Sequence, residues 1–437
     1  MRATAKWSGD WFMSKNKVTV TLLGHACLMF ETPQASFVTD PWIEGFAFAG
    51  GWWPKLPPPV NWKEKINSCD FIYISHNHSD HLNEFTLKHV RKDMDFIIPD
   101  FESRSVEKSL KSLGFNMVRV KPFNVEIVYR DFSFTILKSG DFRDDSGFLL
   151  NFRKFKFLSS VDSNNLNYGI LPEVDVFASS FAGGASGYPL CFDNVTHERK
   201  KEILDANLVS LRESVDTYIH KTSPSYFLPY AGFADYPMER DSYIKENDPL
   251  LTASDYQKTG SYQLMDVFLA DQWEFIIHYV PYPTVSLESS RKIKREEKYT
   301  DYQKFIESVF TYTKVHRSTI EDYFQESGFH DNLRLYLSLT DDDFNVIKGK
   351  SFIVNFSKKS SEGKICRQID FDWEDAKLRM SDTRLLYIKV RKDAFGWVVK
   401  NKKPWEDLII GYQVRIDRVP DEYNKDFWFH FTNIYIS

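Results

Sequence analysis

The sequence predicts a mixed α/β protein, an α/β sandwich followed by a smaller α+β domain. Three observations carry that reading. Short strand-like runs, with helices between and after them, fill the first two thirds of the chain. A charged, helical stretch interrupts the pattern. Strand-like runs then return towards the C-terminus. At 437 residues the chain suits two domains. The divisions fall at 1–285 for the sandwich, 286–334 for a charged helical connector and 335–437 for the second domain.

Taken in order, "VTVTLLGHACLMFET" alternates, breaks at Gly24-His25 and resumes, as a hairpin does. "ASFVTDPW" is a strand ending at Asp40-Pro41. The Gly-, Pro- and aromatic-rich "IEGFAFAGGWWPKLPPPVNW" is a loop apolar enough to fold over something. "DFIYISHNHSDHL" is a short buried strand feeding a histidine-rich loop. "EFTLKHVRK" is helical, "MDFIIPD" a strand, and "SRSVEKSLKSLGF" an amphipathic helix closed by Gly114. Strands dominate Val118–Leu158, and the stretch around 196–230 runs from helix into strand. The connector, "SSRKIKREEKYTDYQKFIESVF", has the charge pattern of a solvated helix face. "NLRLYLSLT", "KSFIVNF", "TRLLYIKV" and "LIIGYQVRID" build the second domain.

Composition limits the function classes. A hydrophobic fraction of 42% and a charged fraction of 27% are ordinary for a globular protein. A net charge of -5 argues against general nucleic-acid binding. The aromatic fraction of 16% supports a large core, aromatic-lined pockets or both. Cys27, Cys69, Cys191 and Cys366 are scattered and form no CxxC pair, which indicates neither a disulfide scaffold nor a zinc ribbon. "MRATAKWSGDWF" lacks an apolar signal core, and no apolar run approaches membrane-spanning length, so a cytoplasmic, soluble protein is expected.

The chemistry gathers in His76-Asn-His78-Ser-Asp80-His81, three histidines and an aspartate behind a buried strand. A metal needs neutral imidazole nitrogens and carboxylates converging on one point, which a tight loop held by a rigid strand provides. His76 and His78 are two apart, so an extended backbone sends both to one side. Asp80 and His81 fall at the turn into a helix and face a second ion. That spacing suits a dinuclear site.

HxHxDH after a strand resembles the signature of the metallo-β-lactamase superfamily, whose fold is an αββα sandwich. "GHACLMFET" and "FVTDPW" look like the opening hairpin of the branch that contains the UlaG-like lactonases. Further stretches resemble the catalytic region of the CMP-N-acetylneuraminate hydroxylases: "DPWIEGFAFAGGWW", "SHNHSDHL", "VDSNNLNYGILPEVDVFASSFAGGASGYP" and "WEDLIIGYQVRIDRVPDEYNKDFWFHF". This resemblance runs from about residue 18 to 435. It implies Asp162 as a bridging ligand and places Asp141 where the superfamily has a third histidine, with Asp144 and Asp145 as substitutes. Asp235 falls near the place of the last histidine, either ligating or leaving the site open. His76, His78 and Asp141 would then hold one ion, Asp80 and His81 the other. A shell this rich in carboxylate makes iron at least as expected as zinc, with manganese also possible.

Those hydroxylases also carry a Rieske domain, whose cluster needs CxH and CxxH pairs. None of the four cysteines has a histidine at either spacing, so no Rieske cluster is expected in this chain and a hydroxylase would use an external electron donor. His25, beside the hairpin break, is a candidate for proton transfer or for holding a ligand, and Asp40 for orienting a ligating histidine. The "FAGGASGYP" loop, with Gly183, Gly184 and Ser186, offers backbone N–H groups to an anionic substrate. Trp52 and Trp53, with Phe46 and Phe48, either stack on a base or sugar or pack in the core. "LLYIKV" followed by "GWVVKNKKPWEDLIIGYQVRID" suggests a sterol-carrier-type fold for the second domain. The expected activity is oxygen-dependent hydroxylation of a sugar nucleotide or related small molecule. Hydrolysis of an ester, lactone or phosphoester, or ligand binding without turnover, are the alternatives.

Overall fold

The computed structural model describes residues 17–183, 185–256, 262–264, 274–279, 285–291, 294–296, 301–311, 313–378 and 382–437. Two large sheets face each other. One has eight strands, ordered Val285–Arg291, Glu274–Tyr279, Lys17–Gly24, Cys27–Glu31, Ser36–Thr39, Phe71–Tyr73, Asp95–Pro99 and Val118–Lys121. The other has seven, ordered Gln263–Leu264, Tyr226–Pro229, Val176–Ser179, Phe155–Ser159, Ser146–Phe152, Phe132–Lys138 and Glu126–Tyr129.

Phenylalanine fills the space between them. Phe30 meets Phe148 and Phe157 edge-on at 5.8 and 4.9 Å, and Tyr73 meets Phe134 at 5.0 Å. Each such ring contributes about 1.5–3 kcal/mol by leaving water, and edge-on pairing adds to this. Helices cover the outer faces. Trp62–Ser68 and Ser105–Ser112 place Trp62, Ile66, Val106 and Leu110 on Ile72, Ile74, Phe96 and Ile98. His197–Thr222 lays Val215 and Tyr218 against the second sheet. This is the αββα metallo-β-lactamase sandwich that the sequence predicts.

Strands Ser36–Thr39, Phe71–Tyr73, Asp95–Pro99 and Val118–Lys121 run parallel, and Phe71–Tyr73 and Asp95–Pro99 are covered on both faces, which is why "FIYI" and "FIIP" read as unbroken apolar runs. In such sheets the loops at the carboxyl ends of the strands form the ligand crevice. Asp40, the His76–His81 loop and Asp162 all follow carboxyl ends.

The connector differs from expectation at its start. Val285–Arg291 is a strand that pairs antiparallel with Glu274–Tyr279 and so belongs to the first sheet. Its sequence, "VSLESSR", alternates with period two; the charge run that suggests a helix begins only after it. Helices follow at Tyr302–Phe310 and Arg317–Glu326.

The C-terminal unit is a five-stranded sheet, Cys366–Gln368, Val346–Asn355, Leu333–Thr340, Arg384–Arg391 and Val414–Val419, with Lys392–Asn401 and Glu406–Ile410 packed beside it. Its core is continuous with the sandwich: Trp42, Phe48, Trp52 and Phe192 share one apolar cluster with Trp405, Leu408 and Tyr412. The joint is tight enough to require glycine. A Cβ on Gly411 would sit 1.9 Å from the Phe48 carbonyl oxygen, and one on Gly51 would sit 2.3 Å from that of Gly411. No helix among the described residues is long and apolar enough to cross a membrane.

Candidate metal centre

Two groups of side chains could each hold an ion: His76, His78 and Asp162, and His25, Asp80 and His81. Asp162 joins them. Its Oδ2 lies 3.1 Å from His81 Nε2 and 4.0 Å from His76 Nε2. The residue before it, Val161, has φ of 52°, and Asp40 has φ of 43°. A β-branched residue in the left-handed region is strained, and such strain persists where the surroundings hold a functional group in place.

Hydrogen bonding fixes which nitrogen of each ring faces the centre. Ser75 Oγ donates to Asp40 Oδ2 at 2.8 Å, so its oxygen accepts from His76 Nδ1 at 2.9 Å. That places the His76 proton on Nδ1 and leaves the Nε2 lone pair pointing inwards. His81 Nδ1 lies 3.2 Å from Asp40 Oδ2, an ion-pair contact rather than an aligned hydrogen bond, and this turns Nε2 inwards. His78 Nε2 faces Glu406 Oε2 at 3.0 Å, which frees Nδ1. His76 Nε2 and His78 Nδ1 are then 2.9 Å apart, two lone pairs aimed at each other. His81 Nε2 aims at the Asp162 oxygen and, at 3.4 Å, at Asp80 Oδ2. Each of these contacts calls for positive charge between the partners, supplied by a metal ion or, without one, by a second proton on His78 or His81.

His25 differs from the other three. Its Nδ1 accepts the Phe233 N–H at 3.1 Å, so Nε2 carries the proton and donates to Asp80 Oδ2 at 3.1 Å. His25 therefore positions Asp80 and offers no lone pair of its own. The other oxygen, Asp80 Oδ1, is buried with no hydrogen-bond partner. An orphaned carboxylate oxygen of this kind is costly unless a cation meets it.

The titration behaviour agrees. Burial pushes His81 towards neutrality, but Asp80, Asp162 and Asp40 outweigh it and hold the ring's pKa well above its ordinary value. Burial also pushes His78 down, yet Glu406 lifts it to about 9. Burial raises Asp80, and His81 and His25 overcome it, holding the carboxyl well below the usual range. His76 is held well below its ordinary value by burial and by the neighbouring rings. The site thus attracts positive charge at the two nitrogens beside carboxylates, and its donor set fits two metal ions. His76 and His78 would hold one, Asp80 and His81 the other, and Asp162 would serve both.

Sequence comparison agrees with this geometry. The beta-lactamase superfamily domain profile matches residues 19–153. The cytidine monophosphate-N-acetylneuraminic acid hydroxylase of Cricetulus griseus is 31% identical over 95% of this chain and 75% of its own length. The chain belongs to this hydroxylase family. The Homo sapiens relative, described as inactive, is also 31% identical, over 95% of this chain and 84% of its own. Among solved structures, the diiron beta-hydroxylase CmlA from Streptomyces venezuelae matches 60% of this chain and 54% of its own, at 17% identity and TM-score 0.39. An isothiocyanate hydrolase from Delia radicum gut bacteria matches 53% of this chain and 94% of its own, at 14% identity and TM-score 0.34.

Within this member of the hydroxylase family, other expected residues lie apart from the two groups. Asp141 is tied to Arg143, accepting its backbone N–H and its Nε–H, each at 3.0 Å. Asp144 bonds Ser103. Asp145 comes nearer: it is 4% exposed, lines one cleft with His78 and Glu406, and is lifted to about 6 by burial. Asp235, in the two-residue strand Ala234–Asp235, pairs with Lys245 at 2.8 Å. Trp52 and Trp53 are each 4% exposed, so they act as packing rather than as a stacking surface. Trp52 packs against Phe48 and His25, and Trp53 against Tyr302 and Phe305. Gly183 and Ser186 are exposed on the surface, and Gly184 lies outside the described residues.

The residue that sequence reasoning missed is Glu406. It stands 328 positions from His78 and only the fold brings them together. Its neighbours act likewise on the same loop: Asp407 accepts from Ser79 Oγ at 3.2 Å, and Asn77 donates to the Thr432 carbonyl at 2.8 Å. The one sequence signal was the acidic pair in "PWEDL".

Proposed function

We propose that this protein is a metal-dependent hydroxylase of an anionic sugar nucleotide that draws electrons from a separate reductant. The observation that carries the reading is a centre of two His/Asp groups sharing Asp162, in a chain of this family. Bound metal would supply Lewis-acid and redox chemistry there. A mixed imidazole and carboxylate shell without thiolate suits iron, zinc or manganese.

The protein's own residues do the rest. Ser75, Asp40 and Glu406 hold three rings with their ligand nitrogens turned inwards. His25 keeps Asp80 ionised and aimed. Trp42, at 5.1 Å from the His25 ring, and Phe48, at 5.9 Å from that of His78, wall off water. The case for a separate reductant is that neither group contains cysteine, and that all four cysteines are free and buried among the described residues.

The test is metal content of protein purified without metal supplementation, followed by oxygen uptake with cytidine monophosphate-N-acetylneuraminic acid and a chemical reductant. About two iron ions per chain and uptake that requires the nucleotide are expected. Stoichiometric zinc with hydrolysis of generic esters, lactones or phosphodiesters would favour a hydrolase instead. No metal and no turnover would leave a ligand-binding member.

A further inference from the structure

Phe142 and Tyr423 break the usual rule for large aromatic rings. They are 47% and 48% exposed, in a protein that buries most of its rings. Their ring centres are 6.4 Å apart, with the planes tilted at 47° to form two walls of one notch. One comes from the sandwich loop between Phe132–Lys138 and Ser146–Phe152, the other from the C-terminal segment after Val414–Val419. Both line the small cleft whose wall includes His78, Asp145 and Glu406, so they stand at the mouth of the metal centre.

Exposed aromatic surface costs free energy unless a ligand covers it, and a pair held across two units is costlier than a single ring. The charges around it are mixed: Asp144, Asp145 and Glu406 line the cleft, and a lysine stands beside the Phe142 ring. Lys425 Nζ lies 4.7 Å from the centre of the Phe142 ring and has no carboxylate partner among the described residues. Arg143, which follows Phe142 in the same cleft, is already engaged by Asp141 at 3.0 Å and Asp145 at 3.5 Å, which leaves Lys425 as the cation open to a ligand. An aromatic face with an unpaired cation beside it takes a planar group that carries an anion on that side.

We infer that Phe142 and Tyr423 form the platform on which the pyrimidine of the nucleotide stacks, with Lys425 receiving its phosphate. This rests on the sugar-nucleotide reading above and deepens it: the base is gripped jointly by the two units, outside the metal shell, and the sugar points inwards to the ions.

Titration of the metal-loaded protein with cytidine monophosphate, followed by calorimetry, tests this without requiring turnover. Phe142→Ala and Tyr423→Ala should each weaken binding about tenfold, the scale of one lost base–aromatic stack, with metal content unchanged. Tyr423→Phe should bind as the wild type does. Lys425→Ala should weaken cytidine monophosphate but not cytidine, and its effect should shrink as salt rises. If the wild type binds the nucleotide and both alanine variants bind it equally well, the platform is refuted while the sugar-nucleotide reading stands. If the metal-loaded wild type does not bind it at all, that reading fails and the platform with it.

Discussion

The two halves of the centre are built differently. Asp80 and His81 are 2% and 0% exposed, and their supports, His25 and Asp40, come from the same sandwich within a short stretch of chain. His76 and His78 sit on the same loop, but the His78 ring, with a side chain 18% exposed, is steered by Glu406 from the C-terminal unit. One half is complete once the sandwich has folded. The other is complete only when the second unit docks. A single HxHxDH motif therefore carries two dependencies, and the C-terminal unit forms part of the site rather than an appendage to it.

The largest expected effect lies in the enclosed half. Asp80→Asn removes a buried charge that balances His25 and His81. It should lower bound metal from two ions to one per chain and cost about 3–5 kcal/mol of stability, the penalty for breaking a buried pair. Elemental analysis and denaturant melts read both. Retention of two ions with wild-type stability would show that Asp80 is not a metal ligand.

Glu406→Gln should come next, and it separates the halves. The amide keeps the size but drops the charge that draws the His78 Nε2 proton. Loss of such a partner costs about 10–100-fold in metal affinity. One ion should weaken by that factor in a competitive chelator titration, while the ion beside Asp80 and His81 holds. Equal weakening of both ions would mean that the C-terminal unit supports the fold of the whole loop rather than one ring.

A smaller contrast concerns the missing third histidine. Asp145 is buried beside His78, whereas Asp141 is spent on Arg143. Asp145→Asn should weaken the outer ion about tenfold and Asp141→Asn by less than about twofold, measured in the same titration. The reverse order would return Asp141 to the shell.

What the sequence could and could not disclose follows the same division. Buried parallel strands read as apolar runs, and neighbours such as His76, His78, Asp80 and His81 share a short loop, so local pattern reports them. Asp40 was legible for the same reason, standing at a strand end before a proline. The role of Glu406 depends on contact across 328 positions, and no periodicity records that. Asp141 and Asp145 share one short turn, "DFRDD", and that pattern does not reveal which one faces inwards. Trp52 and Trp53 show the same limit: an apolar loop does fold over the site, but it closes on its own tryptophans instead of presenting them.

The smallest effect is a control on the joint. Asp248 accepts from the Tyr412 hydroxyl at 3.0 Å and lies 3.5 Å from that of Tyr236, between the two units and away from the metal loop. Burial raises its pKa from 3.8 to about 6. A carboxyl raised on folding stabilises the protein while it stays protonated, and that contribution is lost as pH climbs from about 4 to about 6. Above about pH 6 the folded protein therefore holds a buried carboxylate at a cost. Asp248→Asn removes the titration while keeping an oxygen to accept both hydroxyls. Its advantage over the wild type should grow by about 1.4 kcal/mol between pH 5 and pH 8, the value of one pKa unit. Chemical denaturation at the two pH values measures this. Metal affinity should not change; if it rises with the strengthened joint, the Glu406 effect reports how firmly the C-terminal unit is docked and not a specific hold on His78.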